Sequence, residues 1–118
     1  MNKSIAIINS KAPLNGAHAK ESLDLALILG SFEQAPSLFF IGDGVWQLTE
    51  QNIAMTGAKD FLKTMQALSF YDIENIYVCE HSLYQRNLPN NFALDDVTVL
   101  NRTALQNQLA KFTSVLKF

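Results

Sequence analysis

Leu38-Phe39-Phe40-Ile41-Gly42-Asp43-Gly44 is a run of four apolar residues closed by a tight break. An apolar stretch this short, preceded by Pro36 and ended by turn residues, reads as a strand buried on both faces. Such strands belong to parallel sheets covered by helices on each side, so the run sets the search for the rest of the chain. Val45 to Leu48 reads as a short helical turn immediately after it.

Working outward, the same alternation recurs. Upstream, Lys3 to Asn9 is a buried strand, with Ile at 5, 7 and 8, closed by Pro13, Asn15 and Gly16. A helix follows from about Ala17 to Phe32. Its Leu23, Leu25, Ala26, Leu27, Ile28 and Leu29 leave little polar face, so it must be covered on more than one side, by its own fold or by another subunit. Downstream, Gln51 to Gly57 reads as a loop. Ala58 to Leu68 is an amphipathic helix, with Ala58, Phe61, Leu62, Met65 and Leu68 on one face. Glu74 to Cys79 is a third strand, Ser82 to Arg86 a short helix, and Asn87 to Asn91 a loop. Val97 to Leu100 is a fourth strand. Asn101 is the expected N-cap of a helix over Arg102 to Lys111, with Leu105 and Leu109 facing inward, and Thr113 to Lys117 is a fifth strand. The pattern predicts an α/β fold, doubly wound, on a mainly parallel five-stranded sheet with helices on both faces and right-handed crossovers.

Size and charge narrow the function. The chain has 118 residues, the length of a single domain spanning 1–118. Charged residues make up only 17%, while 48% are hydrophobic and eight are Phe. Low charge with many aromatics suits a subunit that buries surface against partners. A net charge of −2, with Arg86 and Arg102 the only arginines and the lysines scattered, argues against a basic face that grips a phosphate backbone. Any nucleic acid in the biology is then handled by a partner. A single cysteine makes no internal disulfide, Ile5 to Ile8 is too short for a secretory core, and no run reaches membrane-spanning length. The expected location is the cytoplasm.

The candidate chemistry centres on Tyr77-Val78-Cys79-Glu80-His81. Reactive groups in parallel α/β sheets gather at strand carboxyl ends, beside helix amino termini that favour an anion such as a thiolate. Cys79 is therefore the candidate catalytic residue. Its alternative is a buried small apolar residue, and the neighbouring carboxylate of Glu80 repels a thiolate. His81 is poorly placed to activate Cys79, because side chains two apart on a helix diverge. His18 reads as a first-turn residue of the long helix. One cysteine and two histidines at no ligand spacing predict no metal site, and no cofactor is expected. Gly42-Asp43-Gly44 fits neither GxGxxG nor GxxxxGK[ST], so it reads as a strand-end turn, with Asp43 still a candidate functional acid. Asp95-Asp96, and Asp72 with Glu74, read as solvated loop charges.

Four stretches together resemble the DsrE/DsrF family: Phe39 to Leu48, Tyr71-Asp72-Ile73-Glu74, Val78-Cys79 with Ser82-Leu83, and Leu116-Lys117-Phe118. Within that family the likeness is to the C-type (TusC) subunits of tRNA 2-thiouridine synthesis, and it runs over essentially the full length. The resemblance implies a sulfur relay that passes persulfide sulfur toward 2-thiolation of a tRNA wobble uridine. It implies a heterohexamer with TusB-like and TusD-like paralogues and indirect delivery to a TusE-like acceptor. In such complexes the D-type chain carries sulfur on a cysteine at the end of its third strand, the place Cys79 occupies here. An assembly or supporting role is the expectation for a C-type chain. The alternatives are an active persulfide carrier through Cys79 and a stand-alone small-molecule binding module.

Overall fold

The computed structural model describes residues 5–10, 24–26, 28–29, 36–48, 73, 75–88 and 97–118. Strands β1 (Ile5–Asn9), β2 (Ser37–Phe40), β3 (Ile76–Cys79), β4 (Val97–Leu100) and β5 (Ser114–Lys117) form one sheet in the order β4-β3-β2-β1-β5. Every pairing is parallel. The expected α/β class is therefore observed. The order explains the winding: β1 to β4 advance one strand at a time, and the chain then crosses the whole sheet to lay β5 beside β1. Right-handed crossovers place the first connections on one face and the last on the other.

The side chains follow that division, because successive strand residues point to opposite faces. Ile7, Leu38, Phe40, Ile76 and Val78 pack with Ala26, Val45, Leu48, Ile73, Leu83 and Leu88 on one face. Ala6, Ile8, Phe39 and Cys79 pack with Leu105 on the other, joined by Leu109 and Phe112. On this second face Phe39 stacks on Tyr77 with ring centroids 4.9 Å apart and meets Phe112 edge-on at 5.6 Å.

Helix α1 (Glu80–Gln85) follows β3, and α2 (Arg102–Leu109) follows β4. Between β2 and the next connection lies a 3-10 helix over Gly42–Leu48. This merges into one element the expected turn at 42–44 and the expected helical turn at 45–48. It also removes Ile41 from β2: Ile41 N–H donates to Asn9 O at 3.0 Å, and Gly44 N–H donates back to Ile41 O at 2.8 Å. Gly44 sits so close to β1 that a Cβ there would fall well inside contact distance of the Asn9 carbonyl. Gly42 has φ +53°, a left-handed conformation that favours glycine.

The other expected boundaries shift by small amounts. β3 starts at Ile76 rather than Glu74, and its first ladder bond runs from Leu38 N–H to the Asn75 carbonyl at 2.9 Å. α1 starts at Glu80 rather than Ser82, α2 stops at Leu109 rather than Lys111, and β5 starts at Ser114 rather than Thr113. Residues 24–26 and 28–29 are helical, within the span expected to be the first helix. The expected helix over Ala58 to Leu68 lies outside the described residues. Among the described residues, no helix is long and apolar enough to cross a membrane.

Candidate functional site

The carboxyl ends of the strands form a rim, and the rim is bolted together by the backbone and a few polar side chains. Ser10 N–H and Oγ–H both donate to the Phe118 carbonyl, at 2.9 and 2.7 Å, joining the ends of β1 and β5. Gly44 packs the 3-10 helix onto the end of β1. The buried Ser82 on α1 accepts a hydrogen bond at Oγ from Gly42 N–H at 2.9 Å, which ties the end of β2 to the start of α1.

Cys79 lies at this rim. It is the last residue of β3, pairs in register with Leu100, and serves as the N-cap of α1 with extended backbone (φ −78°, ψ 116°). Its side chain makes no capping hydrogen bond. The residue is only 6% exposed and packs in the apolar cluster of Ala6, Ile8, Phe39 and Leu105. Cys79 thus lies at the strand end where the sequence places it, and in the single chain it is buried, as in the alternative reading of a small apolar residue. α2 covers the face to which the thiol belongs.

Between the starts of α1 and α2 is an open hollow of about 460 Å³. Its walls are Glu80, His81 and Tyr84 from α1 and Asn101, Arg102 and Thr103 from the start of α2. The geometry follows from the register: Glu80 and Asn101 are the next residues after the paired Cys79 and Leu100. Tyr84 is 80% exposed, and His81 is also exposed. Cys79 is buried while His81 stands out at the hollow, so the structure does not assemble them as a nucleophile and base.

Asp43 has a structural partner that the sequence did not suggest. Arg86 reaches across from the end of α1 and donates from Nε and Nη2 to Asp43 Oδ1, at 3.1 and 3.0 Å, and from Nη1 to the Ser82 carbonyl at 3.1 Å. The Asp43 side chain is 60% exposed and that of Arg86 23%, so this is a surface ion pair, a type worth about 0–1 kcal/mol. One signal was available, since Arg86 is one of two arginines in a chain of low charge. His18, Asp72, Glu74, Asp95 and Asp96 lie outside the described residues. Among the described residues, no group of three or more His, Cys, Asp or Glu is arranged to hold a metal ion.

Fold and rim together define a wound, parallel α/β domain with its single thiol at a strand carboxyl end. Residues 3–118 match the model of the DsrE/DsrF-like family, and the chain belongs to that family. The fold is also that of the ychN protein of E. coli, whose crystal structure superposes with a TM-score of 0.82. That likeness has 20% identity over 98% of this chain and 99% of the other.

Proposed function

We propose that this chain is a supporting, C-type (TusC-like) subunit of a sulfur relay that passes persulfide sulfur toward 2-thiolation of tRNA wobble uridine. It works in a heterohexamer with TusB-like and TusD-like paralogues, which hand sulfur to a TusE-like acceptor. Membership of the DsrE/DsrF-like family supports a role related to sulfur relay. The observation that carries the supporting role is the burial of Cys79 at 6% in an apolar cluster, because a carrier thiol must reach a donor persulfide. Apolar side chains left exposed, Ile28 at 54% together with Val115 and Leu116 on the edge strand β5, suit a subunit that associates. The low charge suits RNA contact through another chain.

One observation favours a second reading. Cys79 immediately precedes Glu80, which lines the hollow between α1 and α2, and pairs in register with Leu100, which precedes Asn101 of the opposite wall. As a carrier, its thiolate would attack the outer sulfur of a donor persulfide, the donor S–S bond would break, and the donor thiolate would leave. An acceptor thiolate would then attack the new outer sulfur, releasing the Cys79 thiolate.

Co-expression with B-type and D-type paralogues, followed by pull-down, sizing and a relay assay, separates the readings. The expected result is a stable mixed complex in which Cys79→Ser retains full sulfur transfer. Loss of transfer in an intact Cys79→Ser complex, together with an added sulfur atom found by intact mass only on wild type, would establish the carrier instead. Failure to associate with the paralogues would overturn both.

A further inference from the structure

The two outer strands of the sheet are finished differently. On β4 the apolar side chains of Val97, Val99 and Leu100 are half-buried against the two core clusters. β5 lies beyond β1 at the other edge, and there Val115 is 47% exposed and Leu116 40%. These two pair in register with Ala6 and Ile7, which are fully buried on opposite faces of the sheet, so β5 is open on both faces. A strand of a wound parallel sheet is ordinarily covered on both. The backbone of β5 is also directed outward at definable positions. Phe118 N–H donates to Ile8 O at 2.8 Å, and Phe118 O accepts from Ser10 N–H at 2.9 Å, so Phe118 faces β1. Backbone groups alternate in direction along a strand. Leu116 and Ser114 therefore face β1 as well, while Val115 and Lys117 direct N–H and C=O away from it.

This outward pattern complements itself. An identical strand laid antiparallel must match outward groups with outward groups, so a two-fold axis can pass by Val115, Leu116 or Lys117. An axis at Lys117 sets like charges opposite each other, which is destabilising. An axis at Val115 leaves Lys117 facing a residue outside β5. An axis at Leu116 sets Val115 of each strand against Lys117 of the other, so both outward residues exchange both their backbone groups. Leu116 then packs on its counterpart across the axis on one face, and on the other face the apolar stem of each Lys117 covers a Val115. We propose that β5 is a self-pairing edge, through which two copies of this chain join antiparallel over Ser114–Lys117, with Leu116 at the two-fold axis, into one continuous sheet. A closed two-fold contact uses the same patch on both subunits, and β5 meets that requirement without a like-charge clash. The pairing stands whichever role Cys79 has.

Sedimentation of the intact chain over a concentration series should show monomer passing into dimer. Val115→Pro removes an outward N–H and spares the ladder to β1, so it should abolish the dimer while circular dichroism still reports a folded chain. Cysteine pairs then read the register. Cys79 is the only natural cysteine, so the background is Cys79→Ser. There Leu116→Cys should oxidise to a covalent dimer, because opposed residues of a non-hydrogen-bonded antiparallel pair have Cα atoms about 4.5 Å apart, within reach of a disulfide. Val115→Cys, which faces Lys117 of the second copy rather than its own counterpart, should cross-link about tenfold more slowly. A wild type that stays monomeric throughout, a dimer that survives Val115→Pro, or equal cross-linking of the two cysteine variants would each overturn the pairing. The cysteine comparison keeps the proposal exposed even if the proline variant folds poorly. Pull-down with the B-type and D-type paralogues reads the relay assembly separately, so its success with no self-pairing would overturn this inference alone.

Discussion

Helices α1 and α2 leave neighbouring strands at the same rim, but one is held by distant residues and the other by its own. α2 begins with Asn101, whose Oδ1 accepts from Ala104 N–H at 2.8 Å, and it presents Leu105 to the core from an otherwise largely polar surface. Its start is written locally. α1 has a cap residue whose side chain makes no capping bond, and its position depends on Gly42, Asp43 and the sheet. The difference teaches that the α1 wall of the hollow is a tertiary construction, whereas the α2 wall carries much of its own stability.

Substitutions can break this contrast in order of size. Gly44→Ala should have the largest effect, about 4 kcal/mol lost in denaturant unfolding, because the new methyl meets the backbone of β1 and displaces the turn on which α1 is tied. A loss below about 1 kcal/mol would mean the turn floats. Next, Leu83→Ala should cost about 3 kcal/mol and Leu105→Ala about 2, since Leu83 is the more deeply buried. The reverse ranking would show that α2, not α1, leans more on the core. Smallest is Asn101→Ala, expected to cost about 1 kcal/mol through loss of the cap, measured by a shift in the urea midpoint at unchanged slope. No loss would put the start of α2 under tertiary control as well.

The same contrast explains what could be read in the residues alone. Strands such as Leu38 to Phe40 and Val97 to Leu100 announce themselves because they are compact apolar runs, and Asn101 marks the start of α2 through a bond three residues long. α1 starts at Glu80, two residues before the start the local pattern suggests, and the contacts that hold it, Ser82 to Gly42 and Arg86 to Asp43, join positions 40 and 43 apart. No local pattern encodes such pairs. For the candidate site, the strand-end position of Cys79 was legible, and its cover was not. Burial of that thiol depends on α2 returning across the sheet, and the strand order that requires the return is absent from periodicity.

The insertion of β1 between β2 and β5 has a consequence for biogenesis. Ser10 is fastened to Phe118 across 108 positions, and β1 gains its second neighbour only from β5. On the ribosome, a strand made early must wait with one bare flank for residues made much later. Long-range parallel pairing of this kind closes slowly and leaves sticky intermediates. Nascent chains paused before β5 should therefore be the species that chaperones hold.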